Sequence, residues 1–90
     1  MRVTRVNIKK IKNAGCIKAI ASIVLDEAIC VKQIEVVEGR DGELFIAFPK
    51  FRNMQGKFYN VAHPIDNELR KKIQSAVLEE YKEMDTRDRQ

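Results

Sequence analysis

The chain has no apolar stretch approaching the roughly 20 residues that a membrane-spanning helix needs, so no membrane association is expected. Its N-terminus is basic, but no apolar signal core follows it, so secretion is not indicated and a cytoplasmic protein is expected. Cysteine is scarce: Cys16 and Cys30 stand alone, in neither a C-x-x-C nor any metal-ligand spacing. A chain reversal near Asp26–Ala28 sets Cys30 opposite about Val24 and leaves Cys16 far along the sheet. That is beyond the roughly 7 Å that a disulfide allows between Cα atoms, so both are expected as reduced, buried, structural thiols. Glycine is also scarce, and Gly39, Gly42 and Gly56 fit neither a P-loop nor a dinucleotide fingerprint. The acidic residues Asp26, Glu27, Glu35, Glu38, Asp41 and Glu43 lack calcium-loop spacing. The chain holds one histidine, His63, and no recognisable Ser-His-Asp or Cys-His motif. No catalytic residue, metal, cofactor or small-molecule substrate is expected, and His63 reads as a structural residue at a helix entrance, fixed by Pro64.

What remains is an ordinary globular composition, 44% hydrophobic and 33% charged. Ninety residues make one domain. A domain this small buries a modest fraction of its surface, a limit that dimerisation would relieve. The formal net charge of +4 is unevenly spread. Residues 1–18 carry six basic and no acidic side chains, and residues 50–72 carry six basic and two acidic. Between them, residues 19–49 carry two basic and six acidic side chains, and residues 73–90 carry three basic and five acidic. Two basic blocks around an acidic hairpin can draw a polyanion to one face. The same pattern also fits ordinary solvated strand and helix faces.

The first half reads as a four-stranded antiparallel meander. "VTRVNIKKI" mixes β-branched and basic residues, as a strand with one solvated face does. "KNAG" follows as a turn with Gly15 where a positive φ is needed. "CIKAIASIVL" is apolar almost throughout, like a central strand buried on both faces. "ICVKQIEVVE" alternates, "GRDG" is a turn, and "LFIAF" is a short strand stopped at Pro49. A loop is expected over 49–56 and a fifth strand over about 57–62, free to pair with a second chain. Asp66 then caps a helix, with Glu68 in its first turn. Leu69, Ile73, Ala76, Val77 and Met84 fall on one side, with Tyr81 at the edge. Leu78 is expected to point outward, a hint of a partner contact. The fold expected is α+β, an antiparallel meander of about five strands followed by a C-terminal helix. It occupies a single domain over 1–84, with a flexible tail over 85–90.

The basic and aromatic interleaving carries the functional signal. Lys50, Phe51, Arg52, Lys57, Phe58 and Tyr59 occupy the loop and the strand after it. Cations neutralise phosphates and exposed aromatics stack on unpaired bases, although one of Phe58 and Tyr59 is equally suited to a core. Arg70, Lys71 and Lys72 add three cations beside the helix N-terminus, where backbone N–H groups favour anions.

"IASIVLDEA", "LFIAFPKFR", "GKFYNVAHPI" and "RKKIQSAVLEEY", with the opening "VTRVNIKKI", resemble the stage V sporulation protein G (SpoVG) family over about residues 1–83. The resemblance implies a bacterial, cytoplasmic, strand-mediated homodimer that binds DNA site-selectively, and RNA as well, as a regulator. It implies nucleic-acid contacts at the helix start, Asn67 to Lys72, with Arg70, Lys71 and Lys72 as the cations, and at Lys50 and Arg52 of the basic loop. Phe48, Phe51 and Asn60 depart from the residues usual there (Met, a basic residue and Asp), so no target sequence carries over. Two other classes stay open. One is a protein-interaction module of a cell-division or sporulation control pathway with incidental nucleic-acid affinity. The other is an enzyme built on His63.

Overall fold

The computed structural model describes residues 1–12 and 15–88. Asn13 and Ala14, in the first expected turn, lie outside the described residues, as do Arg89 and Gln90. Four strands, β1 (Val3–Lys10), β2 (Ile17–Leu25), β3 (Ile29–Glu38) and β4 (Leu44–Ala47), form one antiparallel sheet in chain order. Two short strands, β5 (Lys50–Arg52) and β6 (Phe58–Asn60), pair only with each other, and the chain ends in helix α1 (Asn67–Asp88). The α+β meander and its C-terminal helix are as the sequence implies.

Two of the turns have a local cause. Gly15 and Gly42 adopt φ values of 67° and 80°, the left-handed region that glycine enters without a Cβ clash. Between β2 and β3, Asp26 and Glu27 both hold φ of 52°, as the central pair of a type I′ turn does. Neither is a glycine, so the turn is held from outside. The Asp26 carboxylate accepts from the Arg2 N–H at 2.7 Å, and the Asp26 N–H donates to the Arg2 carbonyl at 2.8 Å. The Glu27 N–H donates to the Thr4 hydroxyl, and Arg5 pairs with the Glu27 carboxylate. The reversal does set Cys30 opposite Val24.

Helix α1 covers one face of the sheet. Its Asp66 cap accepts from the Leu69 N–H at 3.2 Å. Ile73, Val77 and Tyr81, one row at intervals of four, are buried against Ala19, Ala21, Ile23 and Leu25 of β2 and Ile34 and Val36 of β3. Alanines at the centre of β2 let the helix come close. Four strands at about 4.8 Å spacing span about 14 Å, wider than the helix backbone. Residues flanking the central row therefore also meet the sheet. Tyr81 is buried rather than at the edge, and Leu78 is half-buried against the core rather than turned outward, which removes its hint of a partner contact. The helix continues through 85–88, and Lys10 of β1 reaches the Asp85 carboxylate at 2.8 Å.

Nothing among the described residues covers the sheet's other face. β2 is therefore buried on one face and half-buried on the other, not buried on both. Cys30 shares that uncovered face with Val24, and Cys16 precedes β2 at the turn. Both thiols are free and exposed rather than buried.

The expected loop over 49–56 is instead half of a β-hairpin. Pro49 lacks an N–H and ends the β4 ladder. The chain then pairs Lys50 with Asn60, Phe51 with Tyr59 and Arg52 with Phe58. Its turn is fixed by the Asn53 side chain, which accepts from the N–H groups of Gln55 and Lys57, and by Gly56 at φ 85°. Sequence periodicity recovers β6, which lies within the strand expected over 57–62, but not β5, whose three residues follow Pro49 directly and read as loop.

Candidate nucleic-acid interface

The five cations expected at the site fall into two separate places. Lys71 and Lys72, exposed on the first turns of α1, line a groove with Val3, Ser75, Ala76, Glu79 and a residue that sequence reasoning missed, Arg2. Arg2 comes to the helix start because the register pairs Val3 with Leu25, so that the residue before Val3 meets the turn at Asp26. Its main chain is bonded both ways to Asp26, and its guanidinium has no ion-pair partner among the described residues. Lys71 and Lys72 have none either. Three cations from two distant segments thus converge on one groove, with Glu79 as its one acidic lining residue.

Arg70 is turned to a different task. Its guanidinium lies 5.4 Å from the centroid of the buried Phe48 ring and donates to the Pro64 carbonyl at 3.2 Å. The side chain therefore ties the helix start to the end of β4 and to the connector that precedes α1. A lysine there keeps the charge but lacks the planar stack and fork. Arg70→Lys is expected to lower unfolding stability by about 0.5–1 kcal/mol, the worth of an exposed cation–π contact. Chemical denaturation of the two proteins side by side checks it, and no change in midpoint would remove the tie.

Lys50 and Arg52 sit on the hairpin. Lys50 lines an open cleft of 820 Å³ between the hairpin and β3, where Lys32 of β3 joins it. Arg52 folds back over its own hairpin, its guanidinium 5.7 Å from the Phe58 ring. Phe51 and Tyr59, directly paired, are 59% and 53% exposed, so both remain open to a partner. Phe58, weighed as core, is exposed as well.

His63 is exposed, with its Nδ1 3.3 Å from the Pro64 carbonyl. Among the described residues, no hydrogen bond or ion pair joins it to a carboxylate or a nucleophile. The same residues contain no group of three or more His, Cys, Asp or Glu side chains suited to a metal ion. No helix among them is long and apolar enough to cross a membrane.

The SpoVG family model matches residues 1–83. Over 85 residues, 94% of this chain, the sequence is 45% identical to septation protein SpoVG of Staphylococcus aureus, covering 84% of that protein. It is 46% identical to the protein of the same name from Staphylococcus saprophyticus, covering 83% of it. It is 45% identical to that from an Exiguobacterium species, covering 85%. An antiparallel meander with one C-terminal helix, a cationic helix start and near-complete coverage at this identity lead to one conclusion: the chain belongs to the SpoVG family.

Proposed function

We propose that this chain is a non-catalytic nucleic-acid-binding regulator that acts as a cytoplasmic homodimer on DNA, with RNA as a second ligand. The observation that carries the reading is the convergence of Arg2, Lys71 and Lys72 on one groove without ion-pair partners among the described residues. Like charges held together repel one another; the phosphates of a polyanion offset that repulsion, and the counterions condensed on it are released as they are neutralised. Lys50 and Arg52 extend the contact along the hairpin, and Arg70 fixes the orientation of the helix start while contributing its charge. The relatives' name supports a role in septation or sporulation control.

The dimer has its own support. β4 pairs only with Glu35–Glu38, so Ile29–Ile34 of β3 present an edge with no strand beside it among the described residues. A two-stranded hairpin is marginal by itself in water, and this one exposes aromatics. An open edge and an unsupported apolar hairpin are met together when a second copy docks by strand pairing.

The test of binding is Lys71→Ala with Lys72→Ala in a gel-shift titration on duplex DNA at several salt concentrations. Loss of two phosphate contacts lowers the log–log salt slope by about 1.8 per protomer, which is about 60-fold in affinity near 0.1 M salt. An unchanged affinity and slope would remove the helix start from the interface. A second reading, a protein-interaction module of the septation pathway, draws on the same exposed hairpin. It predicts a protein complex that survives high salt in a pull-down, and DNA binding that the two alanines leave untouched.

A further inference from the structure

The sheet face opposite α1 carries a second cationic feature, produced by an irregularity in β3. The β2–β3 register pairs Ala21 with Ile34 and Ile23 with Val31, so two residues, Lys32 and Gln33, stand opposite the single Ser22. Gln33 sits at the bulge with φ 63°, a conformation that a non-glycine residue holds only under constraint. Across β2, the pairing of Asn7 with Ser22 and Lys9 with Ile20 brings Asn7 and Lys9 to the same face. The short Ser22 side chain leaves a shallow hollow of 250 Å³, and Asn7, Lys9, Ser22, Lys32 and Gln33 line it.

Every polar side chain of this lining can donate a hydrogen bond: two ammonium groups, two primary amides and a hydroxyl. Neither Lys9 nor Lys32 has an ion-pair partner among the described residues, and no carboxylate lines the hollow. Two cations and three neutral donors around a concavity fit the tetrahedral oxygens of a phosphoryl group. The geometry points to a second phosphate-binding site here, occupied by the backbone of a single nucleic-acid strand lying across the uncovered sheet face.

This site deepens the nucleic-acid reading and rests on it. The groove of Arg2, Lys71 and Lys72 lies along the helix-covered side of the sheet, and the hollow opens on the other side. One subunit therefore holds polyanion on both faces, which lets it join two segments of nucleic acid.

The experiment is an amide-resonance titration of assigned, labelled protein with hexathymidylate, run in parallel with inorganic phosphate at matched phosphate concentration. It uses the unaltered chain, a groove variant (Arg2, Lys71 and Lys72 all to Ala) and a hollow variant (Lys9→Gln with Lys32→Gln). The hollow substitutions are exposed and unpartnered, so the fold is kept, and a thermal melt verifies it. In the unaltered chain the oligonucleotide is expected to move the Ser22, Lys32 and Gln33 resonances together with those of Lys71 and Lys72. In the groove variant the bulge shifts persist. In the hollow variant they vanish while the helix-start shifts remain. Adding the hollow substitutions to the groove variant lowers its affinity about 25-fold near 0.1 M salt, the worth of two single-strand phosphate contacts. Shifts confined to the helix start overturn the second site and leave the groove reading intact. Bulge shifts with a silent helix start uphold the second site and sink the groove. Full bulge shifts with inorganic phosphate, and none with the oligonucleotide, overturn the nucleic-acid occupant.

Discussion

Phe48→Ala is expected to remove about 3–5 kcal/mol of folding stability, the range for an aromatic ring deleted from a packed core. Phe48 is 8% exposed, and it sits where β4 ends. Its ring lies beneath the Arg70 guanidinium and also lines the cavity under the helix start, together with Leu69 and Ile73. Truncation leaves a void on one side and an unstacked guanidinium on the other. Total stability of a small domain is about 5–15 kcal/mol, so the variant would melt close to working temperature. Urea unfolding followed by far-ultraviolet circular dichroism measures the loss. A second readout separates packing from function: at a temperature where the variant is fully folded, its affinity for duplex DNA should still fall. The residue that aims the helix start has then lost its seat. Phe48→Leu, which retains more of the volume but not the ring, should cost less stability than Phe48→Ala while the affinity still falls, because the Arg70 stack is lost. A Phe48→Ala protein as stable as the original would mean that β4, the connector and α1 are joined by other contacts.

Phe51→Asp with Tyr59→Asp is expected to convert the proposed dimer to monomer, raising its dissociation constant at least about 100-fold. Two interface aromatics commonly contribute about 2 kcal/mol or more each, and a buried aspartate adds a desolvation cost. The two residues are direct cross-strand partners on one face of the hairpin. Both are exposed and neither belongs to the buried core, so the substitutions are expected to spare the fold of the subunit. Sedimentation equilibrium over a range of concentrations gives the constant, and a thermal melt extrapolated to low concentration gives the subunit's own stability. A dimer of unaltered affinity would exclude the hairpin from the interface. DNA binding should weaken in parallel, because a monomer presents one cationic groove where a dimer presents two.

Much of the fold is legible along the chain. The strands of the meander follow from apolar runs bounded by Gly15, Asp26–Ala28 and "GRDG". The cap at Asp66 and the apolar row on α1 follow from spacing at 3.6 residues per turn. The approximate register of β2 on β3 follows from the length of the turn between them. These features are local: each depends on a residue's own conformational preference and on neighbours within a few positions. Lys71 and Lys72 are legible for the same reason, as exposed cations on the first turns of a helix. The family motifs add that the whole stretch behaves as a unit.

Sequence by itself therefore determined the elements, their order, the capped cationic helix start and the family. Tertiary structure alone decided which surfaces are covered. A single helix can shield only one face of a four-stranded sheet, so Cys30 and half of β2 are left open although their sequence is apolar enough for burial. The sheet is broader than the helix backbone, so Leu78 is drawn against the core. Arg2 joins Lys71 and Lys72 only because the β1–β2 register brings the chain's start to the turn at Asp26. Arg70, though exposed, is turned onto the Phe48 ring because β4 ends beneath the helix start. In each case the deciding contact joins residues far apart in sequence, and no periodicity within one segment encodes what another segment will bring against it.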